Sequence, residues 1–265
     1  MNKWSDTHCH IYGEQFDQDR KEMLLNAQKA GVKRFFLPNI DSQYTDRLLS
    51  LVREEPTMCL PMTGLHPCSV KENFREELNE VRQLYRQQES RLPSGSKIVG
   101  VGEIGLDLYW DKSFLKEQQE AFITQSEWAK EWGLPIIIHV RDAFDEIFEL
   151  MDQVNSKELT GIFHCFTGSE AEAQRIIGFE GFKLGIGGVV TFKNGGLDKV
   201  LPHVPLEYIV LETDSPYLAP VPYRGKRNES AYLEIIAQRV ADIYEMPIEE
   251  LSRITEANTD EIFKL

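Results

Sequence analysis

Three things are scarce in this sequence: cysteine, long apolar runs and positive charge. Its four cysteines, Cys9, Cys59, Cys68 and Cys165, lack the paired spacing of a zinc ribbon or a disulfide framework. No apolar run approaches the ~20 residues that span a bilayer, and residues 1–6 lack the basic and then apolar stretch of a signal peptide. We therefore expect a protein of the reducing cytoplasm with no membrane partner, and we take it to be a monomer.

Acidic residues outnumber basic ones: 43 Asp and Glu stand against 29 Lys and Arg, which gives a formal charge of −14. Affinity for a nucleic-acid backbone comes mainly from many Lys and Arg contacts to phosphate. The net negative charge therefore excludes a broad positively charged binding surface for such a polymer. An anionic substrate has to be held by a few local contacts. It also leaves room for bound cations that neutralise part of a carboxylate cluster.

Short apolar runs alternate with longer amphipathic segments along the whole chain, a rhythm that indicates β/α units with a parallel sheet. One parallel α/β barrel typically needs about 250 residues. The sequence therefore predicts a single domain over residues 1–265 with an α/β fold, a (β/α)8 TIM-type barrel with an extra C-terminal helix. The predicted strands centre on residues 4–7, 34–37, 58–62, 98–101, 135–138, 161–163, 182–186 and 208–211.

Helices and two notable loops are predicted between and after these strands. Apolar side chains recur at helical spacing over residues 114–132, which predicts a helix there. Residues 229–245 are predicted to form the eighth helix and residues 248–263 the C-terminal helix. The polar stretch 86–97 is predicted as a surface loop. The proline-rich stretch 215–228 is long for a connection, so we predict a functional loop there.

The strongest local signal is the run Asp6-Thr7-His8-Cys9-His10. Alternate side chains of a strand share a face, so His8 and His10 are expected to point together while Cys9 points the other way. Two imidazoles on one side make half of a metal site. Taken alone, however, a His-x-His pair at a strand end is equally compatible with two histidines that bind no metal.

Four further residues with metal-ligand chemistry follow predicted strands, namely Glu103, His139, His164 and Asp214. The C-terminal ends of barrel strands meet at one rim, so these residues are expected to converge with the two histidines of the first strand. Such a set suits two divalent cations, with Glu103 as the bridging ligand and Asp214 as a ligand that also takes a proton from water. Nitrogen and oxygen donors favour zinc, manganese or iron, and magnesium stays open.

Three other residues are candidates for contacts around this site. His66 follows the third predicted strand and is expected to contact substrate phosphate, with a helix-capping role as the alternative. Arg141 shares strand parity with His139, and Glu212 shares it with Asp214. We expect Arg141 to face the substrate and Glu212 to support a ligand, and an ion pair between the two is the alternative.

The loop after the eighth predicted strand concentrates Arg224, Lys226 and Arg227 in an otherwise acidic chain. Many barrels bind phosphate at this position. We therefore predict a local anion site that contacts the substrate, and a solvated turn is the alternative.

These residues lie in motifs by which the chain resembles the TatD family of metal-dependent deoxyribonucleases, within the amidohydrolase superfamily. The loop 219–228 is also similar to the family's segment after the eighth strand. Six motifs, in the family's order, carry the resemblance: Asp6-Thr7-His8-Cys9-His10, Gly64-Leu65-His66-Pro67, Gly102-Glu103-Ile104-Gly105-Leu106-Asp107, Ile138-His139-Val140-Arg141-Asp142-Ala143, His164-Cys165-Phe166-Thr167-Gly168 and Leu211-Glu212-Thr213-Asp214-Ser215-Pro216-Tyr217.

The resemblance implies a two-metal site in which Glu103 is shared and His66 acts beside the scissile phosphate, and we expect Asp107 to support the ligands. It implies hydrolysis of DNA from a 3′ end, as a 3′ to 5′ exonuclease on single strands, with RNA left open, and a role in repair or degradation. Val140 and Ser230 depart from the family's pattern, which leaves substrate preference open. The implied metal ligands are His8, His10, Glu103, His139, His164 and Asp214.

Two other functions stay open at this point. The same residues suit amide or ester hydrolysis, although the cationic loop favours a phosphate substrate over an acyl one. A protein that binds nucleic-acid ends without cutting them is the other alternative, although pure recognition does not need six metal ligands.

Overall fold

The structure, a computed structural model, describes residues 2–265. Strands and helices alternate along the chain, as the sequence predicts. The strands are β1 (Trp4–Asp6), β2 (Val32–Leu37), β3 (Cys59–Pro61), β4 (Val101–Asp107), β5 (Ile136–Arg141), β6 (Gly161–Phe163), β7 (Phe182–Ile186) and β8 (Ile209–Leu211). The helices are α1 (Arg20–Lys29), α2 (Ser42–Glu54), α3 (Phe74–Arg86), α4 (Gln88–Arg91), α5 (Leu115–Trp132), α6 (Phe144–Val154), α7 (Glu170–Ile177), α8 (Leu197–Val200), α9 (Leu233–Ile243) and α10 (Ile248–Phe263).

The chain divides into two compact units. Unit 1 comprises residues 2–37, 164–178 and 182–265, and unit 2 comprises residues 38–163 and 179–181. Each unit contains four of the strands. The prediction of a single domain stays a prediction.

In unit 1 the strands pair in parallel, β1 with β2 and β7 with β8. The amide of Thr7 donates to the carbonyl of Leu211, which joins the end of β1 to β8. The C-terminal helix α10 is fixed to β8 and the turn before it because the side chain of Asn258 donates to the carbonyls of Leu206 and Ile209, both at 2.7 Å. These bonds satisfy backbone oxygens that helix packing would otherwise bury unpaired.

In unit 2, β4 pairs in parallel with β5, and β5 with β6. A bridge between Thr63 and Val101 joins the segment after β3 to β4. All seven residues of β4 are buried, including the carboxylates Glu103 and Asp107. Outside the strands, an apolar cluster packs α3 against α5; it consists of Leu65, Val70, Phe74, Leu78, Val81 and Ala121.

Two strands extend further toward the C-terminus than predicted. The fourth lies at Val101–Asp107 rather than residues 98–101, so Glu103 is inside the strand and does not follow it. The fifth extends to Arg141, which places His139 inside it as well. The physical reason is parallel pairing: Gly105 pairs with His139 and Asp107 with Arg141, so hydrogen bonds to a neighbour extend both strands through residues of low strand propensity.

The first strand also ends earlier than predicted. It stops at Asp6, so His8 and His10 lie in irregular backbone and the prediction that they share a strand face is wrong. Tertiary hydrogen bonds fix this backbone instead, since the amide of Cys9 donates to the carbonyl of Phe36 and that of His10 to Ser215.

Among the predicted helices, α5 begins one residue later than predicted and α10 has the predicted bounds. A 3-10 turn over Ser230–Tyr232 replaces the start of the predicted helix 229–245. The stretch 86–97 is not wholly a loop, because α4 forms within it. Across residues 2–265, none of the helices has the length and apolar composition needed to cross a bilayer.

Candidate metal centre

In unit 1, two imidazoles and a carboxylate converge just beyond the ends of β1 and β8. The Nε2 atoms of His8 and His10 lie 3.2 Å apart, and Oδ1 of Asp214 lies 3.7 Å from the first and 3.6 Å from the second. All three residues are buried. Buried groups of this kind are stabilised when they share a cation, and imidazole nitrogen with carboxylate oxygen is the donor set that transition ions prefer.

His164, which directly follows β6, completes this cluster. Its ring stacks on that of His8 with centroids 3.8 Å apart and planes 10° from parallel. Ligand atoms of His8, His164 and Asp214 lie within 4.8 Å of one another. The spacing and the donor types therefore fit a divalent ion held by unit 1.

Two residues orient these imidazoles from behind. The hydroxyl of Tyr12 lies 3.0 Å from Nδ1 of His10, which leaves Nε2 of His10 toward Asp214. Oε1 of Glu212 lies 3.5 Å from Nδ1 of His164, and Glu212 also accepts from the amide of Cys165. The structure thus places Glu212 beside His164, whereas Tyr12 was missed because its contact with His10 depends on irregular backbone after β1.

Replacing Tyr12 with phenylalanine is expected to weaken metal binding about 10- to 100-fold, the usual effect of losing a group hydrogen-bonded to a ligand histidine. Tyr12 is buried, and the phenylalanine ring would fill the same volume without the hydroxyl that contacts His10. Competition with a chromogenic chelator measures the affinity. Tyr85→Phe, in a tyrosine whose ring stacks on Trp132, is the matched control, and equal affinities for both variants would contradict the assignment.

The segment that carries Asp214 is held in an unusual conformation. Asp214 has φ 56°, in the left-handed region that non-glycine residues rarely adopt. Its neighbour Thr213 donates to the carboxylate of Asp6 from both its amide, at 2.8 Å, and its hydroxyl, at 2.6 Å. From the other side, Asn228 donates to the carbonyls of Thr213 and Tyr217. Such strain persists where surrounding bonds over-determine the backbone, which is typical of functional sites.

In unit 2, Glu103 stands between two histidines. Its Oε1 lies 2.8 Å from Nδ1 of His139 and 3.2 Å from Nε2 of His66. Ligand atoms of the three residues lie within 4.8 Å of one another, and Glu103 is 2% exposed. This cluster also has the donor types and spacing for a divalent ion. His66, expected as a phosphate contact, is therefore among ligand-type residues.

His66 is fixed at both ring nitrogens. Nδ1 accepts from the amide of Cys68, so the histidine also caps the short helical turn that follows it. Burial, the largest single cause, works to lower the pKa of His66, but the charge of Glu103 and hydrogen bonds with Cys68 and Glu103 together raise the pKa above its usual value. The structure shows the capping role, which the sequence left as the alternative, and the contact to substrate phosphate stays a prediction.

Asp107 contacts His139 from the side opposite Glu103. Its Oδ2 lies 3.0 Å from Nε2 of His139, and its Oδ1 accepts from the amides of Tyr109 and Trp110. Burial works to raise the pKa of Asp107, but the bonds with His139 and the two amides prevail and lower it to about 2. Asp107 is therefore an anion that orients the imidazole of His139.

Two buried glutamines on α5 hold the backbone of this cluster, and sequence reasoning missed them. Gln118 accepts from the amide of Asp107 and donates to its carbonyl, while Gln125 does the same for Leu65, the residue before His66. Seven residues separate the two, so they lie on one face of the helix. Two polar residues on the apolar face of a predicted helix were the available signal.

The basic loop after β8 divides into paired and exposed cations. The guanidinium of Arg227 is bound by Asp19 at 2.6 and 2.8 Å and by Glu229 at 2.9 Å. Arg224 and Lys226 are exposed, and Arg224 lies over the ring of Phe192. Arg227 therefore fixes the loop to α1, while the other two present positive charge at its surface.

The remaining predicted residue, Arg141, ends β5 and is exposed. Its guanidinium lies 3.8 Å from the ring centroid of Tyr109. The predicted site residues thus fall into two groups. Unit 1 brings together His8, His10, His164, Glu212 and Asp214, and unit 2 brings together His66, Glu103, Asp107 and His139.

The chain is similar over its whole length to proteins of one family. The family model described as TatD related DNase matches residues 5–264. The uncharacterized metal-dependent hydrolase YabD of Bacillus subtilis is 37% identical over 261 residues, 98% of each chain. The 3′-5′ ssDNA/RNA exonuclease TatD of Pectobacterium parmentieri is 30% identical over 266 residues, 98% of this chain and 99% of that protein.

A solved structure has a similar fold over almost the whole chain. The crystal structure of YJJV, a TatD homolog from Escherichia coli K12, has a TM-score of 0.90 at 27% identity and covers 99% of this chain and 98% of its own. Together with the parallel strand pairs and intervening helices, this likeness confirms the predicted α/β fold of the TIM-barrel type.

Proposed function

The chain belongs to the TatD-related DNase family of metal-dependent hydrolases, and from this premise we propose that it removes nucleotides from the 3′ ends of single-stranded DNA. The observation that carries the proposal is the pair of imidazole–carboxylate clusters, one in each unit. A relative that is 30% identical and named a 3′-5′ ssDNA/RNA exonuclease supports the choice of substrate and polarity.

We propose that two divalent cations, of zinc, manganese or magnesium, bind to these clusters. Unit 1 would supply His8, His10, His164 and Asp214, and unit 2 would supply Glu103 and His139. When bound, such a pair lowers the pKa of a coordinated water and neutralises charge on the attacked phosphate. Support for this set comes from the family's pattern and from the buried nitrogen and oxygen donors in each unit.

The protein's own residues then divide the remaining work. Asp214, whose carboxylate lies beside two imidazoles, accepts the proton of the attacking water. Nε2 of His66 carries the ring proton, because Nδ1 accepts from the amide of Cys68, and it donates a hydrogen bond to an oxygen of the scissile phosphate in place of its contact with Glu103. Asp107 keeps His139 in one orientation throughout.

Cations outside the clusters hold the substrate backbone. In a chain of charge −14, Arg224 and Lys226 form a local positive surface on the loop after β8, and Arg141 forms a second at the end of β5. Arg227 shapes the loop through Asp19 and Glu229. A few local contacts of this kind predict moderate affinity with a weak dependence on salt.

Chelation tests the proposal directly. Adding EDTA is expected to lower release of nucleotides from a single-stranded oligonucleotide at least about 100-fold, and Zn²⁺, Mn²⁺ or Mg²⁺ to restore it. Labels at the 3′ and 5′ ends, resolved by electrophoresis, distinguish mononucleotides released from each end. Unchanged turnover in chelator would overturn the metal dependence.

Three substrates separate the proposal from its alternatives. A circular single strand has no end, so it should resist cleavage if the enzyme is an exonuclease. Acyl esters and amides assayed beside the oligonucleotide test for an amidohydrolase-type activity, which would appear as faster turnover of those compounds. Stoichiometric binding of ends with no product from any substrate would instead identify a binding protein.

A further inference from the structure

Two large aromatic side chains are exposed immediately after β4. Tyr109 is 53% exposed and Trp110 is 69% exposed. Their rings meet edge to face, with centroids 4.9 Å apart and planes at 89°. Single exposed apolar side chains need no explanation, but a contiguous aromatic pair next to a candidate metal cluster suggests a ligand.

A cation accompanies the pair. The guanidinium of Arg141 lies 3.8 Å from the ring centroid of Tyr109 and 5.2 Å from that of Trp110. Arginine in this position stacks on aromatic rings and keeps its positive charge, which is available to phosphate. Aromatic rings interleaved with arginine are the combination that single-stranded nucleic-acid sites use.

The aromatic pair is also fixed relative to the candidate ligands of unit 2. Oδ1 of Asp107 accepts from the amides of Tyr109 and Trp110 at 3.0 and 3.2 Å. Oδ2 of the same carboxylate lies 3.0 Å from Nε2 of His139. The side chain of one buried residue, Asp107, whose backbone amide donates to Gln118, therefore connects the aromatic loop to the imidazole of His139.

We propose that Tyr109, Trp110 and Arg141 form a stacking platform for an unpaired nucleobase of the substrate, with the ring of Trp110 as the contact surface. The proposal rests on the proposed nuclease function and deepens it. Every base has a π-face, so such a platform accepts any sequence. It selects single strands, because bases within a duplex already stack on their neighbours and are not available.

Tryptophan fluorescence provides a direct test. The protein is titrated with a single-stranded oligonucleotide whose linkages are phosphorothioates, which slows cleavage. The chain has four tryptophans, and Trp110 is the one that the platform places against a base. We expect quenching in the wild type and in Trp128→Phe, where the replaced side chain packs against the apolar cluster of α3 and α5. Quenching should disappear in Trp110→Phe.

Affinity provides the second readout. Trp110→Leu keeps an apolar side chain but removes the ring, and we expect its Kd for the oligonucleotide to rise about 5- to 100-fold. Trp110→Phe, which keeps a ring, should stay within about threefold of the wild type by the same reasoning. Because Trp110 is 69% exposed, both variants should fold, and thermal unfolding checks this. Wild-type affinity in Trp110→Leu, or quenching that persists in Trp110→Phe, would overturn the platform.

Abasic substrates identify the stacked base. A series of oligonucleotides, each with one abasic position, should contain one for which wild type and Trp110→Leu bind equally. If the difference persists at every position, the platform does not contact a base and the proposal fails. Cleavage of ordinary oligonucleotides is measured separately. Binding that depends on Trp110 without any cleavage would support the platform and reject the nuclease function. Cleavage at the same rate with and without the ring of Trp110 would support the nuclease function and reject the platform.

Discussion

Replacing Glu103 with glutamine is expected to abolish the hydrolytic activity. The loss should exceed about 100-fold, which is the effect that removing a group hydrogen-bonded to a metal ligand can have. Glu103 is buried, and its Oε1 faces Nδ1 of His139 and Nε2 of His66. Glutamine fills the same volume but carries no negative charge, so it neutralises less of the charge on bound cations. Oligonucleotide turnover at saturating metal, together with metal content by elemental analysis, measures the effect.

The control for this variant is a carboxylate elsewhere. Glu120→Gln makes the same chemical change in an exposed residue that pairs with Arg75, and its activity should stay within about twofold of the wild type, as for most surface ion pairs. Thermal unfolding of both variants shows whether the fold is retained. Wild-type turnover in a folded Glu103→Gln would sink the proposed ligand set.

Replacing Gly105 with alanine is expected to lower the free energy of unfolding by about 3 kcal/mol or more. Gly105 has φ +145°, a conformation that side chains rarely adopt, and an added Cβ would come closer than 3.0 Å to the carbonyl oxygen of His139. Because Gly105 pairs with His139 between β4 and β5, the strand that carries His139 would have to move. Urea unfolding measures the stability, and metal content measures the displacement of His139.

A second glycine separates the clash from the backbone conformation. Gly133, which ends α5, has φ +66° but no atom within 4 Å of an added Cβ. Gly133→Ala should therefore lose only the cost of the left-handed conformation, about 1 kcal/mol. Equal losses in the two variants would show that the close approach of Gly105 to His139 has no energetic effect.

Some elements could be predicted because their own residues encode them. Helix α10 has the predicted bounds and α5 differs by one residue, since in both an apolar stripe recurs at helical spacing over at least four turns. The short runs that became β6 and β7 were predicted with their observed bounds because apolar residues and glycine fill them, apart from Lys183 in β7. Such patterns form the same helix or strand in any fold that buries the apolar face of the segment.

The errors occurred where hydrogen bonds to segments distant in sequence decide the local structure. The sequence of β4 contains Gly102, Glu103 and Gly105, which disfavour a strand, yet pairing with β5 makes all seven residues strand and buries them. Similarly, His8 and His10 were placed on a strand that ends at Asp6, and their convergence depends on hydrogen bonds to Phe36 and Ser215 by Cys9 and His10. Local propensity carries no information about partners so distant in sequence.

For the candidate site, the sequence by itself determined the chemistry: which histidines and carboxylates could be ligands, and that a chain of charge −14 must hold an anion locally. The tertiary structure alone decided their surroundings. It placed Tyr12 behind His10, the glutamines of α5 behind the unit 2 cluster, and Asp107 between His139 and the exposed aromatic pair. Ligand identity is a property of a side chain, whereas orientation depends on hydrogen bonds that exist only once separate segments have packed together.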